Sequence, residues 1–302
     1  MNHGRFPLTV VVAVNPMASF GHRADVGPLA IRRLRDAGHT VVDVGEANIE
    51  LLRRETIRAV EAGADALVVV GGDGMANLGV NIVAQTEVPL GIVPSGTGND
   101  LADGLGIPID DAEAAIARLL DALQRPPRVI DAATVRHGEL TTWFASVLSA
   151  GFDATVNERA NLMTRPRGRS RYIFALLREL ATLNPIQYEV VADGVPAARK
   201  ALLISVANNR SLGGGMRIVP HADLEDGMLD LFVVAPMSRF AFLRVFPKVF
   251  SGTHTELPVV SFQRVRSVTL NASGVIAYAD GERIGPLPVE ITVVPGALRV
   301  LV

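Results

Sequence analysis

The sequence predicts an α/β fold in two parts, a doubly wound parallel sheet followed by an antiparallel β-sandwich. Three observations point there. Short, continuous apolar packets alternate with helix-period segments from Leu8 to about Leu123, which is the pattern of parallel strands covered on both faces by helices. Two prolines then break the pattern between Gln124 and Arg128. Beyond them, strand-like packets follow one another with few helices between. At 302 residues the chain exceeds the usual size of one core, so two domains are expected.

The first packet, Leu8 to Val14, is a buried strand rather than a signal peptide. It is short, follows Pro7, has only Arg5 before it and runs into Asn15 and Pro16. Further strands are expected at Thr40 to Val44, Ala66 to Val70 and Leu90 to Val93, with helices such as Leu29 to Ala37 and Ile49 to Ala62 between them. In the second part, strands are expected at Val129 to Val135, Thr141 to Leu148, Gln187 to Ala192, Ala201 to Val206, Leu229 to Val234, Ser267 to Leu270 and Val289 to Val294. Two helices, Tyr172 to Leu183 and Ser238 to Phe250, interrupt them.

Composition excludes several classes. The 29 basic and 31 acidic side chains leave a net charge of −2, so no global field attracts nucleic acid or an anionic bilayer, and any membrane attraction must be local. There are no cysteines, which removes disulfides, thiolate zinc sites and cysteine nucleophiles and suits the cytoplasm. Although 49% of residues are hydrophobic, no packet approaches the ~20 residues that span a bilayer.

The chemistry gathers in two loops. Gly71-Gly72-Asp73-Gly74 lies where the third strand meets a helix, and its glycines let backbone amides turn toward a phosphate. An ordinary glycine turn would look the same. Asp73 tips the balance, because a carboxylate beside phosphates calls for an intervening Mg²⁺. The second loop, Ser95-Gly96-Thr97-Gly98-Asn99-Asp100, follows the fourth strand in the same way. Adjacent parallel strands present their carboxyl ends on one edge, so the two loops should converge. Neither a Walker A loop nor a G-x-G-x-x-G fingerprint occurs.

With these two loops the sequence resembles the diacylglycerol kinase catalytic-domain family, which includes sphingosine and ceramide kinases and soluble bacterial lipid kinases. The resemblance starts at Asn15-Pro16 and runs through both loops and Asp131. It continues through Ala150-Gly151-Phe152-Asp153-Ala154, Gly213-Gly214-Gly215, Pro220 and Asp226-Gly227-Met228-Leu229-Asp230 to Gly252-Thr253-His254 and Asp280-Gly281-Glu282. It implies a Rossmann-like nucleotide domain of residues 1–128 and 295–302 and a β-sandwich lipid-substrate domain of residues 129–294, with nucleotide in the crevice between them. ATP and Mg²⁺ are the implied cofactors. Asp73 is implied to be the catalytic carboxylate, joined by Asp100, Asp131 and Glu282 in an acidic, water-mediated metal network. Asn15, Pro16, Gly71, Gly72, Gly74, Met75 and the stretch Ser95, Gly96, Thr97, Gly98 and Asn99 are implied to hold the nucleotide. A structural Mg²⁺ is implied at Asp226, with backbone carbonyls of Asp223 and Met228. Because Asp73 belongs to a loop expected to face solvent, its replacement should leave stability unchanged.

The partner implied is a lipid at a membrane surface, reached peripherally; nucleic acid is not a partner, and a homodimer is left open. Gly151 to Asn161 and Tyr172 to Leu183 are expected to wall an acyl pocket, with Phe174, Leu176, Leu177 and Leu180 as candidates. Arg165, Arg167, Arg169 and Arg171 form the densest positive run, either a headgroup-binding loop or a solvated one. Met75 stands where a threonine is usual in the family, Asp103 where arginine is frequent, and Met17 to Arg23 lacks the usual Ser-Gly turn. Two other readings compete. An NAD kinase-like enzyme is disfavoured by the second loop and by Asp280-Gly281-Glu282, and a non-catalytic relative by the four retained carboxylates.

Overall fold

The computed structural model describes residues 7–15, 25–151, 156, 178, 184–213 and 215–302. They form two compact units, Met1–Ile130 with Gly296–Val302, and Asp131–Pro295. In the first unit, strands β1 (Thr9–Val14), β2 (Thr40–Gly45), β3 (Ala66–Gly71) and β4 (Leu90–Pro94) lie in the order β2-β1-β3-β4, and every pair is parallel. Val300 and Leu301 add a further parallel pairing beside β4. Every residue of β3 and β4 is buried, which is why their sequences are continuously apolar, whereas the edge strand β2 is mostly exposed. Helices α1 (Val26–Asp36), α2 (Ile49–Glu61), α3 (Asp73–Val83), α4 (Asp100–Gly104) and α5 (Ala112–Ala122) connect the strands. Asn48 and Asp111 cap α2 and α5 by accepting the amides of Leu51 and Ala114, satisfying donors that the helix itself cannot. Val10, Leu34, Val68, Ile116 and Leu119 are central to the core of this unit.

The second unit holds two sheets. One is antiparallel throughout, with β7 (Val147–Gly151), β10 (Leu203–Ala207), β11 (Leu229–Val234), β12 (Val260–Val265), β14 (Ile276–Ala279) and β15 (Glu282–Pro286) in the order β12-β11-β10-β7-β14-β15. The other carries β16 (Val289–Leu301), β13 (Ser267–Asn271), β8 (Ile186–Ala192) and β9 (Val195–Ala201), with β5 (Arg128–His137) pairing both β16 and β6 (Leu140–Phe144). Phe144, Leu148, Tyr188, Ile204, Leu229 and Ile291 from the two sheets pack in one cluster, the sandwich that the alternating strands predict.

Several elements differ from expectation. Thr141 to Leu148, read as one strand, is divided between β6 and β7, which belong to different sheets. Ser238 to Phe250, read as one helix, is α6 (Arg239–Val245) followed by α7 (Lys248–Ser251). The break falls at Pro247, which has no N–H to continue the ladder. Strands β9, β12, β14 and β15 were not expected; in β9 only Ala201 of seven residues is buried. The expected helix Tyr172 to Leu183 lies outside the described residues apart from Arg178, as do the four arginines from Arg165 to Arg171. Among the described residues no helix is long and apolar enough to cross a membrane.

Candidate active site

The loops of the first unit begin side by side because β3 and β4 pair with Gly71 opposite Pro94, and the Ser95 amide donates to the Gly71 carbonyl at 2.8 Å. Asp73 opens α3. Its Oδ2 accepts the Asn99 amide at 3.0 Å and its Oδ1 the Asp100 amide at 2.6 Å. Asn99 adopts a left-handed backbone with φ 65°, which asparagine tolerates better than most side chains. Its side chain closes the loop on itself, Oδ1 accepting from the Gly96 amide at 3.1 Å and Nδ2 donating to the Gly96 carbonyl at 3.0 Å.

The glycines have a different first duty from the one expected. A Cβ on Gly96 would lie 2.3 Å from Gly72 Cα, and one on Gly98 would lie 1.9 Å from Asp73 Oδ2. Glycine is required there so that the two loops can touch, independently of any ligand. Asp73 likewise has a structural duty that the sequence did not reveal, since it accepts two amides of the other loop. Met75 is 4% exposed, and its Cγ occupies the space a Gly71 Cβ would need, so its side chain packs under the loop. Ser95, Asn99 and Asp100 are buried, while Gly74 and Thr97 remain exposed at the loop surfaces. The amino end of α3 sits at this surface with its positive dipole end, a setting suited to an anion. Asn15 is half-buried at the end of β1, and Pro16 and residues 17–23 lie outside the described residues.

In the second unit a connected polar network surrounds the break between β6 and β7. The buried Asp280 carboxylate accepts three successive amides, those of Ala145, Ser146 and Val147, at 2.9, 2.9 and 3.1 Å. Asn208 Nδ2 donates to the carbonyls of Ala145 and Asp131 at 2.9 and 3.0 Å. Asp131 is 3% exposed, and its Oδ2 accepts the Gly227 amide at 2.7 Å. Asp131, the Asp226-Gly227 turn and the Asp280-Gly281-Glu282 hairpin are thus tied to one another within this unit. Glu282 is exposed; partial desolvation and, second, the charge of Asp280 push its pKa up. Asn208 escaped the sequence reading, although two adjacent asparagines directly after an apolar strand were a signal available there.

Asp226 is already engaged as the structure stands. Its Oδ1 accepts the Met228 amide at 2.9 Å, and its Oδ2 pairs with the Arg264 guanidinium. Asp223 turns its carboxylate to the Glu225 amide at 3.1 Å. Among the described residues no three of His, Cys, Asp or Glu gather as a metal-binding group. The implied site needs one carboxylate with backbone carbonyls and waters, and a Mg²⁺ there would compete with Arg264 for the Asp226 carboxylate.

The second unit also contains an apolar cavity of ≈ 70 Å³, several times the ~10–15 Å³ that one water needs. Leu203, Met216, Phe232, Val234, Phe242 and Phe246 line it, with Ser205 and His254 among its walls. His254 is buried, with Nε2 2.8 Å from the Ile218 carbonyl. Burial lowers its pKa, against the pull of the Ile218 and Lys248 carbonyls, so the ring is neutral and Nε2 carries the proton toward Ile218. The described walls come chiefly from β10, β11, α6 and α7; of the expected acyl-pocket lining Gly151, Val156 and Arg178 are described, and of these Val156 lines the cavity.

Residues 9–132 match the family model of the diacylglycerol kinase catalytic domain, and residues 146–302 that of the YegS C-terminal NAD kinase beta sandwich-like domain. A diacylglycerol kinase of Mycobacterium tuberculosis (strain ATCC 25618 / H37Rv) is 39% identical over 294 residues, covering 97% of this chain and 94% of its own. The chain belongs to the diacylglycerol kinase family. Within that family, a diacylglycerol kinase of Bacillus subtilis (strain 168) is 30% identical over 231 residues, 75% of this chain and 74% of the relative. The crystal structure of a diacylglycerol kinase from Bacillus anthracis str. Sterne shares the fold, with a TM-score of 0.72 at 20% identity over 99% of this chain and 97% of that one. Diacylglycerol kinase-type chemistry is phosphate transfer, and both loops that the sequence marked for phosphate lie inside the matched catalytic domain.

Proposed function

We propose that the protein transfers the terminal phosphate of ATP to the hydroxyl of diacylglycerol or a closely similar lipid. The observation that carries the lipid acceptor is the apolar cavity of the second unit. At ≈ 70 Å³ the cavity admits only a few methylene groups of a chain, but its aliphatic and phenyl walls favour hydrocarbon over the polar and charged groups of a soluble dinucleotide such as NAD.

The exposed loop surface at Gly74 and Thr97, with the amino end of α3, would hold the phosphates by backbone amides and one hydroxyl. Asp73 accepts the amides of Asn99 and Asp100, which fixes its carboxylate where the two loops meet. Asp73 would receive the proton of the lipid hydroxyl as that oxygen bonds to the γ-phosphorus. The bond from the γ-phosphorus to the β,γ-bridging oxygen breaks, and ADP leaves. Mg²⁺, when bound, supplies neutralising charge on the transferring phosphate. Asp73 and Asp100, which meet through the Asp100 amide within the first unit, are the carboxylates that would hold it through water.

The test presents the protein with terminally labelled ATP, Mg²⁺, and either detergent-dispersed diacylglycerol or NAD. Label in phosphatidic acid is expected. Label in NAD, or in neither, overturns the reading. Val234→Phe, which fills the cavity, should raise KM for long-chain diacylglycerol at least about tenfold and leave the KM for ATP unchanged.

A further inference from the structure

The segment from α6 to α7 has two working faces. Phe242, Val245, Phe246 and Val249 line the apolar cavity. The opposite face is exposed and apolar as well, with Phe240 87% exposed and Leu243 41%. At 3.6 residues per turn, Arg239, Leu243, Phe240 and Arg244 fall at about 0°, 40°, 100° and 140° around α6. Two large apolar groups therefore project between two arginines, and both arginines are exposed. Lys248, also exposed, opens α7. No acidic residue occurs from Leu231 to Thr255, and none of these three cations is in a salt bridge among the described residues. In a chain of net charge −2 this is a local positive, apolar patch.

A file of phenyl rings connects the two faces. Phe242 stacks on Phe246 with centroids 5.9 Å apart, and Phe246 meets Phe250 edge-on at 5.8 Å. Phe242 is buried, whereas Phe250 is 44% exposed. An apolar route of side chains thus runs from the cavity wall to the surface within this one segment.

We infer that the outer face of α6 and α7 is a docking surface for an anionic lipid bilayer, which sets the cavity beside the hydrocarbon from which its occupant comes. Phenyl and leucyl side chains flanked by arginine and lysine are the composition that settles at the headgroup level. The acid-free cationic rim matches the negative surface potential of such a membrane. This inference rests on the lipid-kinase reading for its purpose and on the exposed patch for its evidence.

Vesicle co-sedimentation, without nucleotide and hence without turnover, tests it. Vesicles of phosphatidylcholine alone and of phosphatidylcholine with phosphatidylglycerol are compared at low and high salt. The wild type should bind the anionic vesicles, and salt should weaken it. Phe240→Ser with Leu243→Ser should weaken binding about tenfold or more. Arg239→Gln, Arg244→Gln and Lys248→Gln together should weaken it about 100-fold, roughly fivefold per cation removed, and flatten the salt dependence. Leu140→Ser with Val195→Ser, exposed at 74% and 66% on other strands, should bind like wild type. All variants should melt like wild type and keep activity on detergent-dispersed diacylglycerol. Wild-type vesicle binding by both the serine and the glutamine variants, or no vesicle binding by the wild type, overturns the docking surface. If binding maps to this patch while no lipid is phosphorylated under any condition, the kinase reading fails and the docking surface stands.

Discussion

The two units use carboxylates in contrasting ways. In the first, the half-buried Asp73 takes one amide on each oxygen and holds two glycine loops together. In the second, the buried Asp280 takes three amides and fixes the turn that separates two sheets. Asp73 is half-buried at the edge of its loops, whereas Asp280 is 8% exposed, so solvent and ligands reach the first carboxylate more readily than the second. Two acids of similar motifs can therefore differ in accessibility, which burial reveals where composition does not.

The sharpest way to break this comparison is Asp280→Ala. Three amides would lose their partner at about 1–3 kcal/mol each, so the second unit should lose at least about 3 kcal/mol or fail to fold. Urea unfolding followed by the single tryptophan, Trp143 in β6, reads the effect, and a loss below 1 kcal/mol would deny Asp280 its architectural role. Asp73→Asn should lower phosphate transfer by about 100-fold or more and cost about 1 kcal/mol of stability, because one of two amides loses its acceptor. An unchanged melt would return Asp73 to a purely chemical role.

Gly98→Ala tests the loop contact itself. A methyl 1.9 Å from Asp73 Oδ2 must push the loops apart, costing about 1–3 kcal/mol and raising KM for ATP more than KM for lipid. The titration of His254 is a gentler probe. Its folded pKa lies below the ordinary 6.5, so the unfolded chain binds the proton more readily. Stability should be fully present above about 6.5 and drain away as the pH falls through the folded value. His254→Gln keeps a donor for the Ile218 carbonyl and should flatten that part of the pH dependence. His39 in the first unit, also lowered by burial, contributes in the same direction. The smallest effect is expected at Asp226→Ala, less than about 1 kcal/mol, since its pair with Arg264 is partly exposed. A rise in wild-type melting temperature on adding Mg²⁺ would mean that an ion displaces Arg264.

Much of the fold was legible because burial writes directly into sequence. The packets at β1, β3 and β4 are apolar without interruption because helices cover both faces. The division of Thr141 to Leu148 was not legible, since Phe144 to Leu148 is buried throughout and the residue that enforces the turn, Asp280, lies 135 positions from Ala145. The loops announced themselves by their glycines, yet the reason for those glycines did not, because the atoms they must avoid belong to the other loop. The cavity was hidden for a similar reason. Its walls come from segments scattered between Val156 and Val260, and an apolar residue facing a cavity looks like any core residue.

The pairing of residues 300 and 301 bears on how the chain is made. Val300 and Leu301 pair with Leu90 and Gly91 on β4, so the parallel sheet of the first unit is finished by residues translated after the whole of the second. On a ribosome, where amino-terminal domains usually fold first, the outer edge of β4 would wait with its amides and carbonyls unpaired. An open parallel edge is a template for wrong partners. Synthesis therefore leaves a window, about 200 residues or some tens of seconds long at ~5–20 residues per second, in which the first unit is incomplete and most exposed to misassembly.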